Sequence, residues 1–435
     1  MRLAGGFLVC GAVIALASCV PASGTKAPAA PRPSEDAGAR VTALADEYVR
    51  EYFELSPVDA TILDVPSPRH DDRWNDNSLE ALGRWRAKED HWLAKLSAID
   101  PAALVGRPEW VTYGVLREQL EMSVGSRVCH EELWFTRSDI GLMMTLTNLP
   151  VAQPASSAEA NQKTLARWKD LARFFDVEIA NLKQGLAAGY AGEKNNVQRL
   201  FAQMDLLLDG PVDKTPFYDP ARRAGDEAFG RKLAEVIGND LRPAIKRYRD
   251  FLATSYLPRA REQPSVMATP GGAACYRAFL RQGTSLSLDP EEIHRTGLEQ
   301  LQRIEVEERD IAKRNFETED IPALFGRLST DKEFLLDRDG RLRCGREAVA
   351  RAKQAAPRVF GLLPKADLEA REAQPGTGSS YLFSPGEGRP ATYWVGDDTE
   401  ARLVCETTAF HEGIPGHHLN KHRKFVFCKH EGSPL

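Results

Sequence analysis

The chain has 435 residues, of which 42% are hydrophobic and 27% charged, with a formal net charge of -5. Such a chain is long enough for two or three domains, or for one large helical domain with a well-buried core. Its mild acidity offers nucleic acid no basic face and anionic lipid no strong attraction, which excludes polyanion binding as its main role.

In chain order, the first element is an export segment. Arg2 supplies a positive start, and Leu3 to Leu16 form an apolar run too short to cross a bilayer. Leu16-Ala17-Ser18-Cys19 resembles the bacterial lipobox. That resemblance implies cleavage before Cys19 and lipidation of its thiol and new amino end. Val20, which is not an aspartate, implies sorting to the periplasmic face of the outer membrane, with membrane contact through the lipid anchor only. Residues 19–38 are rich in Pro, Ala and Ser, cannot bury a core, and read as a flexible tether behind a signal at 1–18. The folded body is expected over 39–435. Its cysteines, Cys129, Cys275, Cys344, Cys405 and Cys428, show no CxxC pairing, and an odd number cannot all form internal disulfides.

The body is predicted to be mostly α. Over 161–187, Leu165, Trp168, Leu171, Phe175, Ile179, Leu182 and Leu186 step by three or four and lay one apolar stripe along a helix. Leu233, Ile237, Leu241, Ile245, Tyr248 and Leu252 repeat the pattern, with Pro243 predicting a kink or break. Asp289-Pro290-Glu291-Glu292 marks a helix start, with Asp289 as N-cap, Pro290 at the first turn and Glu292 reaching back. Ile293, Leu301, Ile304 and Ile311 follow on one face and are expected to be core. His294 beside them is expected to be a structural helix residue. Strand signals are few: Ala391 to Val395 is the best, with Leu382 and Phe383 as a short partner.

Residues 401–420 carry the chemistry. Leu403, Val404, Thr407, Thr408 and His411 share a helical face, and His411-Glu412 opens HEGIPGHH. In the common HExxH motif, two histidines four apart bind one zinc ion, and the glutamate beside the first activates a water on the metal. Here Pro415 stands four residues after His411, and the next histidines are His417 and His418. On an unbroken helix these lie about 9 and 10.5 Å along the axis from His411. Neither separation permits shared coordination at about 2.0–2.1 Å per nitrogen. The helix must therefore distort between them, and Pro415 and Gly416 are the residues that permit it.

HEGIPGHHL resembles the signature of the bacterial family called domain of unknown function 885, which is grouped with helical zinc metallopeptidases and includes many lipoproteins. Similar segments lie at TPFYDPARR near 215, from Gly271 to Ile304, and at GRPATYWV from 388. The resemblance implies a large multi-helix, cleft-forming metallopeptidase-like domain with a small β element before the HEGIPGHH helix. It implies zinc (Zn2+) on His411 and on His417 or His418, with Glu412 as general base and peptides as substrate. Arg389 and Tyr393 match the family's RPxxxYV stretch. They are either cleft residues, on a substrate-pairing edge strand or as an oxyanion partner, or a solvated arginine and a packing aromatic.

Relatives of this pattern continue well beyond HHL and take their third ligand from a later helix. Here Lys421 to Leu435 does not resemble that continuation, so the chain reads as C-terminally truncated. Glu400, Glu406 and Glu431 are the nearby carboxylates, and none has the position of a third ligand. The leading expectation is zinc-dependent peptide hydrolysis. The alternative is a catalytically inactive lipoprotein that keeps the cleft and binds peptides or a partner. A zinc hydrolase for a non-peptide amide or ester is a third.

Overall fold

The structure is a computed structural model that describes residues 34–66, 70–134, 142–373, 378–382, 390–399 and 401–419. Cys19, Phe383, Arg389, Glu400 and Glu431 lie outside these residues.

The N-terminal part is helical throughout. It comprises α1 (Ser34–Leu55), α2 (Pro57–Ile62), α3 (Leu79–Ser97), α4 (Glu109–Ser126), α5 (Leu142–Ala152), α6 (Ala158–Ala187), α7 (Lys194–Leu208), α8 (Asp219–Ala224), α9 (Glu227–Val236), α10 (Arg242–Phe251) and α11 (Gly272–Thr284). The first helix starts at Ser34, inside the stretch read as tether, and already buries Ala37. No helix among the described residues is long and apolar enough to cross a membrane.

The longest helix, α6, is the one whose stripe was most regular. Ser157 caps it by accepting the Ala160 N–H, which satisfies one of the unpaired donors of a helix start. Trp168, Leu171, Phe175 and Leu182 are fully buried against Leu200, Phe217, Leu233, Ile245 and Tyr248. Each such side chain contributes roughly 1.5–3 kcal/mol by leaving water. Arg167, on the same helix, is also fully buried. Its guanidinium donates to Thr61 Oγ1 at 2.9 Å, Gln153 Oε1 at 2.7 Å and the Arg73 carbonyl at 3.0 Å, so the charge is solvated by protein dipoles.

The regular α-helix is interrupted beside Pro243, in keeping with the expected kink or break. A wider π-helical turn, Ile237–Leu241, precedes it, and the proline falls in the first turn of α10. The wider turn is where the helix accommodates a residue that has no N–H to donate. The stripe is accordingly continuous from Leu233 to Leu252 and buried along its length.

The next helix, α12 (Pro290–Phe316), starts as predicted: the Asp289 side chain accepts the Glu291 N–H at 2.9 Å. Its apolar stripe is not core. Leu301, Ile304 and Ile311 are 56, 48 and 46% exposed, and of the whole helix Ala312 is the buried residue. Periodicity identifies residues that share a face. Coverage depends on a neighbour, and the neighbour here, α13 (Ile321–Thr330), packs at the C-terminal end through Ala312, Phe316, Leu324 and Leu328. His294 is exposed on the same helix.

The C-terminal part joins α14 (Arg338–Ala355) to a three-stranded sheet and to α15 (Arg402–Glu412). In the sheet, β1 (Leu368–Glu372) pairs in parallel with β3 (Ala391–Val395), and β2 (Ser380–Leu382) pairs antiparallel with β3 from the other side. The strand at Ala391–Val395 and the pairing of Leu382 match expectation. β1 was not anticipated. Because β3 is the central strand, its backbone groups are engaged on both sides, so the reading of Tyr393 on a substrate-pairing edge strand is incorrect. The helices pack closely on this sheet. A Cβ at Gly345 of α14 would stand 3.0 Å from Val395 and 3.2 Å from Tyr393.

Four of the five body cysteines pair, Cys129 with Cys275 and Cys344 with Cys405. Cys428 lies outside the described residues. The second disulfide ties α14 to α15, which leads into the HEGIPGHH motif.

Candidate metal centre

α15 is held from one side. Cys405 and Ala409 are buried, the Cys344–Cys405 bond anchors the helix to α14, and Arg351 of α14 pairs with Glu406 at 2.6 Å. Glu406 is thereby directed away from any metal role. The opposite face, Leu403, Val404, Thr407 and His411, is the exposed one. His411 thus points outward, while Glu412, one residue on, is 8% exposed.

Beyond Glu412 the helix stops and the chain folds back. Gly413 ends it, the Ile414–Pro415 peptide is cis, and Ile414 is buried with Ala352, Ala356, Phe360 and Phe410. Two backbone bonds close the turn: the Gly416 N–H donates to the Phe410 carbonyl, and the His418 N–H donates to the Gly413 carbonyl, each at 3.0 Å. Gly416 passes so near the helix end that a Cβ there would lie 1.8 Å from the His411 carbonyl oxygen. That contact admits glycine alone.

The turn places His417 over His411, with ring centroids 4.7 Å apart and planes at 79°. His417 Nε2 lies 3.9 Å from Glu412 Oε2. One donor atom from each of His411, Glu412 and His417 lies within 4.8 Å of the others, the arrangement of three metal-ligating side chains among the described residues. The predicted distortion between the histidines is therefore present, and it does what the spacing required.

His418 has a different place. It is 2% exposed, with Nδ1 3.1 Å from the Tyr381 hydroxyl and Nε2 3.1 Å from the Ala366 carbonyl. Both ring nitrogens are engaged, and of the two histidines it is His417 that lies with His411 and Glu412. Tyr381 had no signal in the sequence beyond its place near a short strand. Burial holds its hydroxyl well above the usual tyrosine range.

Tyr393 is fully buried in the centre of the sheet. Burial pushes its hydroxyl up to about 12, and the negative charges of Asp398 and Glu412 act in the same direction. It lies within electrostatic reach of Glu412, and its ring is packed in the core of the sheet. A separate cavity of about 630 Å³ opens among the N-terminal helices, lined by Trp74, Trp85, Arg127, Phe174 and Glu178 with their neighbours, and His411, Glu412 and His417 do not contribute to it.

Comparisons with known proteins agree with this picture at the level of fold. A family model described as "Bacterial protein of unknown function (DUF885)" matches residues 57–422. No curated protein matches. Among solved structures, the chain is similar to a "putative lipoprotein" from Colwellia psychrerythraea, with a TM-score of 0.76, 16% identity, and coverage of 90% of this chain and 74% of that one. It is also similar to a "putative lipoprotein of unknown function" from Shewanella oneidensis, with a TM-score of 0.58, 13% identity, and coverage of 87% and 71%. At these identities the likeness shows the fold and no more.

Proposed function

The chain belongs to this bacterial family of unknown function, and on that premise we propose that it is a zinc-dependent peptide hydrolase carried on an exported lipoprotein. The observation that supports the chemistry is the convergence of His411, Glu412 and His417 within 4.8 Å, produced by a turn tight enough to exclude a Cβ at Gly416. Zinc takes imidazole and carboxylate ligands at about 2.0–2.2 Å, which sets donor-to-donor spacings near 3–4 Å. The two proposed ligands, His411 and His417, have ring centroids 4.7 Å apart, and the carboxylate proposed as base stands 3.9 Å from His417, so two imidazoles beside a carboxylate fit the donor chemistry.

His411 and His417 would hold the ion, His411 from the last turn of α15 and His417 from the fold-back. When bound, zinc supplies positive charge that polarises a scissile carbonyl and acidifies water. Glu412 does the proton work. Its carboxylate accepts a proton from the attacking water and returns it to the leaving amine, as the glutamate beside the first histidine does in HExxH sites. Burial of Glu412 keeps that carboxylate fixed beside the cluster rather than free in solvent. The lipobox-like LASC and the description of both structural neighbours as lipoproteins support export and anchoring.

A second reading, peptide binding without turnover, is favoured by one observation. Among the described residues the cluster offers two imidazoles and a carboxylate already assigned as base, without a separate third ligand. A panel of quenched fluorescent peptides separates the two. Cleavage that stops on chelation and returns with added zinc is expected; peptide binding without cleavage in zinc-loaded protein would establish the second reading instead.

A further inference from the structure

We propose that Tyr381 and His418 form a positioning clamp that aims His417 at His411, so that the metal centre is assembled by strand β2 as well as by α15. The proposal rests on the metal-site reading above, brings in Tyr381 from outside the motif, and gives His418 a positioning role in place of a ligand role.

The geometry carries it. His418 is buried and held from three directions: its N–H donates to the Gly413 carbonyl, its Nε2 faces the Ala366 carbonyl, and its Nδ1 faces the Tyr381 hydroxyl. A carbonyl accepts and does not donate, so Nε2 carries the proton in neutral His418; Nδ1 is then the acceptor of the Tyr381 O–H. Each polar atom of the buried ring has a partner, which is what burial of such a group requires. The peptide joining His417 to His418 is fixed in consequence. Adjacent side chains leave the backbone in different directions, and pinning His418 inward leaves His417 facing the cluster.

Both supports are themselves held. Tyr381 stands opposite Tyr393 in the β2–β3 pairing, and its ring backs both histidines, at 6.1 Å from His417 and 5.9 Å from His418. Ala366 precedes Asp367, whose carboxylate pairs with Lys353 of α14 at 2.5 Å and whose carbonyl accepts the Ala391 N–H at 2.7 Å. The Lys353 contact holds the Asp367 carboxyl below its usual range. One histidine therefore joins strand β2, the segment before β1 and the fold-back. Groups that orient metal ligands typically set affinity by about 10–100-fold.

The test is zinc affinity by chelator competition on the mature protein, with cobalt(II) absorption as a second readout of ligand geometry. Tyr381→Phe keeps the ring and removes the O–H; zinc affinity is expected to fall about 10–100-fold, with altered cobalt bands and an unchanged far-UV spectrum. His418→Gln keeps a donor toward Ala366 and loses the acceptor toward Tyr381, so adding Tyr381→Phe to it is expected to change little more. His418→Asn keeps the acceptor and retains most of the Tyr381 effect. Wild-type affinity and cobalt bands in a folded Tyr381→Phe protein, or full additivity with His418→Gln, would overturn the clamp. Absence of zinc from wild type would instead overturn the metal-site reading on which it rests, so the two failures are told apart.

Discussion

Replacing Glu412 with Gln is expected to lower peptide turnover by about 10²–10⁴-fold while zinc stays bound, the scale on which general acid–base groups act. Gln has the size of Glu and keeps its hydrogen-bonding reach, but it cannot take a proton from water. The carboxylate sits 3.9 Å from His417 and is almost fully buried, so nothing in solvent replaces it. The separation of outcomes is what makes the substitution informative. If Glu412 is the base, zinc content is retained and kcat collapses with peptide binding intact. If turnover in Glu412→Gln equals wild type, Glu412 has no catalytic role; if zinc is lost, it is a ligand.

Gly416→Ala is expected to disable the site without touching any donor atom. The added Cβ would lie 1.8 Å from the His411 carbonyl oxygen, 2.5 Å from its carbon and 2.7 Å from the Phe410 carbonyl oxygen. All three are backbone atoms of the helix end, so no flexible side chain can yield. The fold-back must open, the Gly416-to-Phe410 hydrogen bond breaks, and His417 moves off His411. Overpacking at a site of this kind costs about 1–3 kcal/mol. The effect on zinc is larger than on stability, because a ligand is displaced: affinity should fall about a hundredfold or more, beyond the usual scale for residues that only orient ligands. Zinc titration of Gly416→Ala checks this, with thermal unfolding to show that the helical body persists. Wild-type affinity in that variant would mean the turn does not build the site.

The same turn shows why part of the site was legible and part was not. His411-Glu412 on an amphipathic approach, followed by Pro-Gly and two histidines, is enough to demand a distorted helix, and the structure has it. Which of two adjacent histidines meets the cluster is a different kind of question. Its answer depends on Tyr381 and Ala366, 37 and 52 residues upstream of His418. Nothing local marks them. The cysteine partners are non-local for the same reason, 146 and 61 residues apart.

The fold divides along the same line. The stripe of α6, the Asp289 cap and the strand at Ala391–Val395 were readable because each is stated by residues within a few positions. Leu368–Glu372 reads Leu-Glu-Ala-Arg-Glu, all good helix formers, yet it pairs as β1 along the whole of β3. Sheet pairing outweighs propensity there, and propensity is a weak prior. The α12 stripe fails in the opposite sense: the local pattern is sound, and its exposure is set by which elements pack beside it.

The proposed mechanism depends on His411 and His417 together holding zinc. Elemental analysis of the purified mature protein, beside His411→Ala and His417→Ala, tests it most directly. Near-stoichiometric zinc is expected in wild type, with most of it lost in each variant and all three proteins folded. Folded wild type without zinc, or zinc retained in both variants, would contradict it.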